Sequence, residues 1–272
     1  MTKVAAIQMV SCSAVGPNLM TARSLMQKAV DAGVSLLVLP DNFALIGMKD
    51  EDRLLIREHY GEGRIQDFLA TTAASLGVWL VGGTIPIISE QDETKVRSAC
   101  MVWNAQGQTV ARYDKIHMFD VYMGATLHQY QESAFVEPGQ DTVVVQTPIG
   151  RLGLCVNYDL RFPEVFRNLR RQGAEIFVLP SSFTAVTGRA HWRTLLRARA
   201  IENQCYMIAA NQGGIHDSQK ETFGHSMIVD GWGEILSCHE VGIGCVVADI
   251  DLIKLQVLRE EFPTWEHRKL ID

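Results

Sequence analysis

The segment Gly153-Leu-Cys-Val-Asn-Tyr-Asp-Leu-Arg-Phe-Pro-Glu164 has the build of a site that exposes a reactive side chain. An apolar strand, Leu152 to Val156, runs into a sharp polar turn. A helix then opens with Pro163 at its start and Glu164 in its first turn, both favourable there. A strand–elbow–helix of this kind presents a nucleophile at the strand tip. The residue at the tip is Asn157. A carboxamide is neither basic nor nucleophilic at neutral pH. The nearest thiol, Cys155, lies two residues back, toward the sheet, and reads as a small core residue. Tyr158 and Arg161 follow in the elbow as candidate substrate contacts. Arg161 has two readings, a partner for a substrate carboxylate or a brace for the turn. A second candidate segment, Ser181-Ser-Phe-Thr184, follows a strand that ends at Pro180. Open α/β sheets bind ligands at such carboxyl ends.

The elements needed to hold these residues are legible. Val4 to Met9 reads as a buried strand. Asn18 is a helix N-cap candidate, and Leu19, Ala22, Leu25, Met26 and Ala29 have the spacing of a helix ending near Gly33. Ser35 to Leu39 is a strand stopped by Pro40. A helix over 64–75, a strand over 78–82 and a hairpin of 97–104 with 109–113 follow. Residues 116–140 read as loop. The second half repeats this layout, and Leu37-Val-Leu-Pro-Asp-Asn-Phe43 rhymes with Phe177-Val-Leu-Pro-Ser-Ser-Phe183. A long helix over 188–204, strands at 206–211, 224–229 and 245–250, and a polar tail complete the chain. With no Pro/Ser-rich linker, residues 1–272 read as a single α/β domain with mixed sheets under outer helices.

Composition narrows the function classes. Apolar residues make up 47% of the 272 residues and charged residues 21%, which suits a globular protein with ample core. A net charge of −6 gives no footprint for nucleic acid or an anionic membrane surface. No apolar run approaches the roughly 20 residues of a membrane span. The N-terminus has no signal-peptide pattern, so the expected location is cytoplasmic. The six cysteines form no Cys-x-x-Cys pair, and no His/Cys cluster has metal spacing.

Four motifs together resemble the nitrilase, or carbon–nitrogen hydrolase, superfamily, and the long helix 187–206 is similar to its deaminated-glutathione amidase and ω-amidase-like branch. The resemblance covers nearly the whole chain. It implies an α-β-β-α sandwich, no cofactor, no metal, and a homodimer or larger assembly with the arm 261–272 lying on a partner. It also implies a Glu/Lys/Cys scheme: a thiolate attacks the amide carbon, a carboxylate moves the protons, and a cation steadies the anionic intermediate. Arg112-Tyr-Asp-Lys-Ile-His117 carries the lysine motif, which gives Lys115 the lysine role. Glu132 matches the second glutamate, which positions the lysine and substrate. Ser181, Ser182, Phe183 and Thr184 fall on the segment that lines the family's substrate pocket.

Two positions depart from the pattern. Asp41, in Leu39-Pro-Asp-Asn42, stands where the family has Glu, and Asn157 stands where it has the nucleophilic Cys. The aspartate keeps the charge, but its carboxylate is about 1.5 Å short. A displacement near 1 Å can cost roughly a hundredfold in rate. Three readings follow: an amidase for a small ω-amide whose hydrolysis is lost or impaired, a non-catalytic protein that holds a small amide or carboxylate, and an enzyme with altered chemistry.

Overall fold

The computed structural model describes residues 1–123 and 128–270. Its strands assemble into two main sheets. The first has the order Gly244–Ile250, Thr2–Gln8, Leu36–Val38, Trp79–Val81, Val96–Trp103, Ile85–Ile88, with Thr109–Asp114 also paired to Val96–Trp103. The second runs Ile235–His239, Ser226–Val229, Tyr206–Asn211, Ile176–Ser181, Gly150–Leu154, Val143–Thr147. Each sheet has a parallel heart of three strands: Thr2–Gln8, Leu36–Val38 and Trp79–Val81 in one, and Gly150–Leu154, Ile176–Ser181 and Tyr206–Asn211 in the other. The repeat heard in the sequence is thus a repeat of structure.

Strand periodicity sorts the side chains into three cores. Val4 and Ala6 point between the sheets, where they meet Leu152, Leu154, Val178 and Ile208. Ala5 and Ile7 point the other way, toward the helices Val15–Asp31 and Arg64–Leu76 through Leu25, Met26 and Leu69. On the far side, Phe177 and Met207 meet Phe166 and Leu196 of the helices Pro163–Arg171 and Arg193–Asn203. Helix, sheet, sheet and helix therefore stack as the expected α-β-β-α sandwich. The central strands are near-continuous apolar runs because both of their faces are covered.

Several local expectations need correction. Asn18 lies inside the first helix, which begins at Val15. Its side chain instead accepts from Cys12 N at 2.9 Å and donates to the carbonyls of Cys12 and Ala44. The helix expected over 188–204 is present over 188–203, but its first five residues are π-helical. A short turn, Ala185–Thr187, capped by the Thr184 hydroxyl, leads into a π-helical turn, Gly188–Trp192, and only then into Arg193–Asn203. Gly188 sits so close to Phe223 that a Cβ would approach its ring to 2.2 Å, which fixes this irregular stretch against the neighbouring strand. Residues 116–140 are not all loop: Asp120–Met123 pairs antiparallel with His128–Gln131. The polar tail begins with a helix, Leu252–Glu261, whose N-cap is Asp251.

The arm expected to lie on a partner also has contacts within its own chain. Through residue 268 the arm lies on its own chain. Gln204 Nε2 donates to Phe262 O at 2.6 Å, and the guanidinium groups of Arg167, Arg170 and Arg268 stand over the Trp265 ring. One half-buried aromatic supplies the anchor that a count of apolar residues misses. Residues 271–272 lie outside the described residues. No described helix is long and apolar enough to cross a membrane.

Gly83 shows how tightly the strand ends are set. Its φ is +64°, and a Cβ there would come within 2.3 Å of the Pro40 carbonyl oxygen. The substitution Gly83→Ala combines left-handed strain with a backbone clash. It should lower stability by about 2 kcal/mol or more, read as a lower urea midpoint at unchanged slope.

Candidate active site

Asp159, with no solvent exposure, positions the elbow. One of its carboxylate oxygens accepts from Val156 N at 2.9 Å and Tyr113 OH at 2.6 Å. The other accepts from His117 N at 3.2 Å and lies 2.8 Å from His117 Nδ1. The elbow is thereby tied to the segment that carries Lys115. Burial and the adjacent Asp159 carboxylate push the Tyr113 hydroxyl well above the usual phenol range. Held this way, the chain turns sharply at Asn157, whose φ of 47° is left-handed. Asparagine tolerates that conformation better than other residues with a side chain.

Lys115 is 1% exposed and its ammonium is paired with the Glu132 carboxylate. Glu132 also accepts from Phe119 N at 2.8 Å and from Arg53 Nη1 at 3.4 Å. Burial alone would raise the Glu132 pKa, but Lys115, Arg53 and the hydrogen bonds outweigh it and leave the carboxyl below its ordinary value. Asp41 is 3% exposed and is held by two hydroxyls: Thr84 Oγ1 donates to one oxygen and Ser182 Oγ to the other, each at 2.6 Å. Asn42 N donates to Thr84 Oγ1 at 2.9 Å, and Asn42 Nδ2 to Ser182 Oγ at 3.3 Å. Asn157 Oδ1 accepts from Ser182 N at 3.4 Å.

These groups border a cleft of about 650 Å³, the size of a small-molecule site. Asp41, Glu132, Asn157, Tyr158, Arg161, Ser182, Phe183 and Thr184 all line it. Ser181 does not. Strand alternation turns it to the opposite face from Ser182, where it is fully buried and its hydroxyl has no hydrogen-bond partner among the described residues. Lys115 stands off the cleft wall and reaches the site through Glu132. Cys155 is fully buried, its thiol against Val178 O at 3.3 Å. Burial, with Asp159 nearby, pushes that thiol far above the usual range.

Arg161 has its guanidinium 5.5 Å from the Tyr158 ring centroid and 5.1 Å from that of Phe183, with His191 Nδ1 3.1 Å away. It has no carboxylate partner among the described residues. That leaves a half-buried cation on the cleft wall, suited to an anionic ligand. Sequence reasoning missed Thr84, Arg53 and Asp159. Only Asp159 left a signal, an acid at the third position of the elbow turn, where it can cap the chain it follows.

The Glu132–Lys115 pair sets a pH dependence. A carboxyl with a depressed folded-state pKa contributes stability that is complete above its unfolded pKa and disappears as pH falls through the folded one. Glu132→Gln leaves the buried ammonium without its counter-charge and should destabilise the protein by about 3 kcal/mol at neutral pH. The gap in melting temperature between parent and variant should hold down to the glutamate reference value of 4.5 and close below it. Melts followed by circular dichroism across acidic pH test this; a gap that stays constant into strong acid would contradict it.

Comparison with known proteins bears on the chain as a whole. The family model described as carbon-nitrogen hydrolase matches residues 3–260. A deaminated glutathione amidase from Yersinia enterocolitica is 40% identical over 244 residues, covering 90% of this chain and 85% of that protein. The Homo sapiens deaminated glutathione amidase is 36% identical over 268 residues, covering 98% and 82%. Among solved structures, the Caenorhabditis elegans NitFhit protein superposes with a TM-score of 0.91 at 34% identity, over 98% of this chain and 65% of that one. Saccharomyces cerevisiae Nit3, a member of the nitrilase superfamily, gives 0.88 at 27% identity, over 99% and 97%. The chain belongs to the carbon–nitrogen hydrolase family.

Proposed function

We propose that this chain is an amidase-type protein whose cleft takes a small ω-amide with an acidic tail, such as deaminated glutathione, and that it does not turn that ligand over through a thioester. The observation that carries the reading is Asn157 at the elbow, at φ 47° and on the cleft wall, with the nearest thiol buried behind it. In the family scheme, Asp41 takes the place of the proton-moving glutamate, Lys115 and Glu132 supply the charged pair, and Asn157 occupies the nucleophile's position. The names of the relatives and the intact cleft support the amide ligand. Arg161 supports its anionic tail, and the aromatic walls Tyr158 and Phe183 support its apolar stem.

The experiment is ammonia release from deaminated glutathione and a panel of ω-amides. Where a covalent nucleophile is removed, a serine hydrolase offers the scale: about a millionfold in turnover. The parent chain should therefore release ammonia at a rate near background. Asn157→Cys should give partial activity, held down by the short Asp41 and by about 1 kcal/mol of left-handed strain that cysteine bears less well than asparagine. Adding Asp41→Glu should raise the rate by roughly a further tenfold to hundredfold. Ordinary turnover by the parent, or an inert but folded double variant, would contradict the reading.

The family resemblance also supports self-association. The rings of Trp232 and Phe262 meet at 5.7 Å, and both are more than half exposed, at 63% and 52%. Light scattering should give a mass of at least two 30.3 kDa chains, and Trp232→Asp should lower it. A parent that scatters as one chain would exclude this assembly.

A further inference from the structure

The residues that replace the family pattern are not simply idle. Asp41, one methylene short, directs a carboxylate oxygen to the Ser182 hydroxyl at 2.6 Å. Ser182 is on the cleft wall, and its Oγ also accepts from Asn42 Nδ2 at 3.3 Å. With one position taken by that amide, the serine proton is aimed at Asp41 and a second lone pair remains for an incoming carbon. Thr84 completes the arrangement from behind. Its oxygen accepts from Asn42 N, so its own proton is given to the other Asp41 oxygen and the carboxylate cannot rotate away from Ser182. Asn157 bonds through Oδ1 to the Ser182 backbone N–H, while its Nδ2 has no hydrogen-bond partner among the described residues. The carboxamide that cannot attack is thus placed beside a hydroxyl that can, with a donor to spare.

We propose that Ser182 is the nucleophile of this chain, with Asp41 as its base and Asn157 Nδ2 as a donor to the oxyanion, and that it accepts acyl groups from small carboxylic esters. The proposal rests on the reading of the cleft as an acyl-binding pocket. In the first step Ser182 Oγ bonds to the carbonyl carbon and its proton passes to Asp41. The carbonyl electron pair moves to oxygen, where Asn157 Nδ2 donates. The pair returns, the bond to the alkoxy group breaks, and Asp41 gives the proton to the departing alcohol. Water then attacks the acyl-serine, its proton goes to Asp41, and the broken ester bond returns that proton to Ser182 Oγ. The products are an acid and an alcohol, and water is the only co-reactant. Esters are favoured over amides because an amine must be protonated as it leaves, and a site with a single carboxylate as its acid does this poorly. An alcohol, above all a phenol, leaves with little help.

The test uses the full chain with p-nitrophenyl acetate, mono-p-nitrophenyl glutarate and a fluorophosphonate. A single covalent adduct is expected by intact mass, located by peptide mapping to Ser182, with nitrophenolate released above the solution rate. Ser182→Ala should abolish both. Asp41→Asn should slow labelling roughly a hundredfold or more, the usual share of a general base. No adduct on the parent, an adduct on a lysine or cysteine instead, or equal labelling of Asp41→Asn would each overturn the proposal. The parent measurement stands whether or not either variant folds. Calorimetry with deaminated glutathione separates the two ideas. Acylation of Ser182 without that binding supports the proposal and removes the ω-amide ligand. Binding without acylation overturns the proposal and leaves the pocket reading in place.

Discussion

The buried carboxylate of Asp159 is the constraint on which the site depends. A carboxylate with no exposure to water must find its partners in the protein. Here those partners come from two places far apart in the chain. Val156 N lies within the elbow; the Tyr113 hydroxyl and the His117 amide flank Lys115. Satisfying one charge therefore fixes the elbow's sharp turn and its distance from the lysine segment at once. His117 reinforces the join, since its ring stacks on Phe162 at 3.6 Å at the exit of the same turn. The left-handed conformation at Asn157 persists because both sides of the turn are anchored.

The sandwich above this joint follows from repetition. Two similar strand–helix–strand units each hide both faces of their strands, one face under helices and one against the other unit. Their sequences rhyme at Leu37–Phe43 and Phe177–Phe183, which sets Asn42 opposite Ser182. In the folded chain those two residues are in contact, Asn42 Nδ2 on Ser182 Oγ. The cleft thus forms where equivalent strand ends from the two units meet. This explains why its polar groups come from residues some 140 positions apart and yet touch directly.

That much was legible because strand identity and order are carried by local apolar runs and by Pro40 and Pro180. What escaped was of a different physical kind. Ser181 and Ser182 are indistinguishable as sequence, and only the phase of the preceding strand decides which one meets the cleft. Thr84 and Arg53 lie in stretches with no helical or strand signature of their own, so nothing local marks them as partners of Asp41 and Glu132. The π-helical turn at Gly188–Trp192 escaped because its apolar spacing suits a regular α-helix. The close approach of Phe223, contributed from elsewhere in the chain, distinguishes it. The Trp265 anchor was missed for the same reason: its three arginines belong to one helix and to the arm itself, and they become neighbours only after folding.

The two departures from the family pattern make most sense as one change. A glutamate at position 41 would carry its carboxylate about 1.5 Å further along the side chain. Aspartate stops at the serine and threonine hydroxyls, and both of its oxygens are occupied there. A thiol at position 157 would need a base within reach; a carboxamide does not, and asparagine accepts the left-handed turn at lower cost than most side chains. Each substitution removes the need that the other would have left unmet. The two Asp41 oxygens stay paired instead of facing a missing partner, which in a buried site costs about 1 to 3 kcal/mol for each group. A random loss at one position would leave the remaining acid directed at nothing. Here the acid and the two hydroxyls are joined by hydrogen bonds, Asn157 Oδ1 accepts from the Ser182 amide with its Nδ2 left over, and Arg161 remains on the wall as a cation without an acidic partner among the described residues.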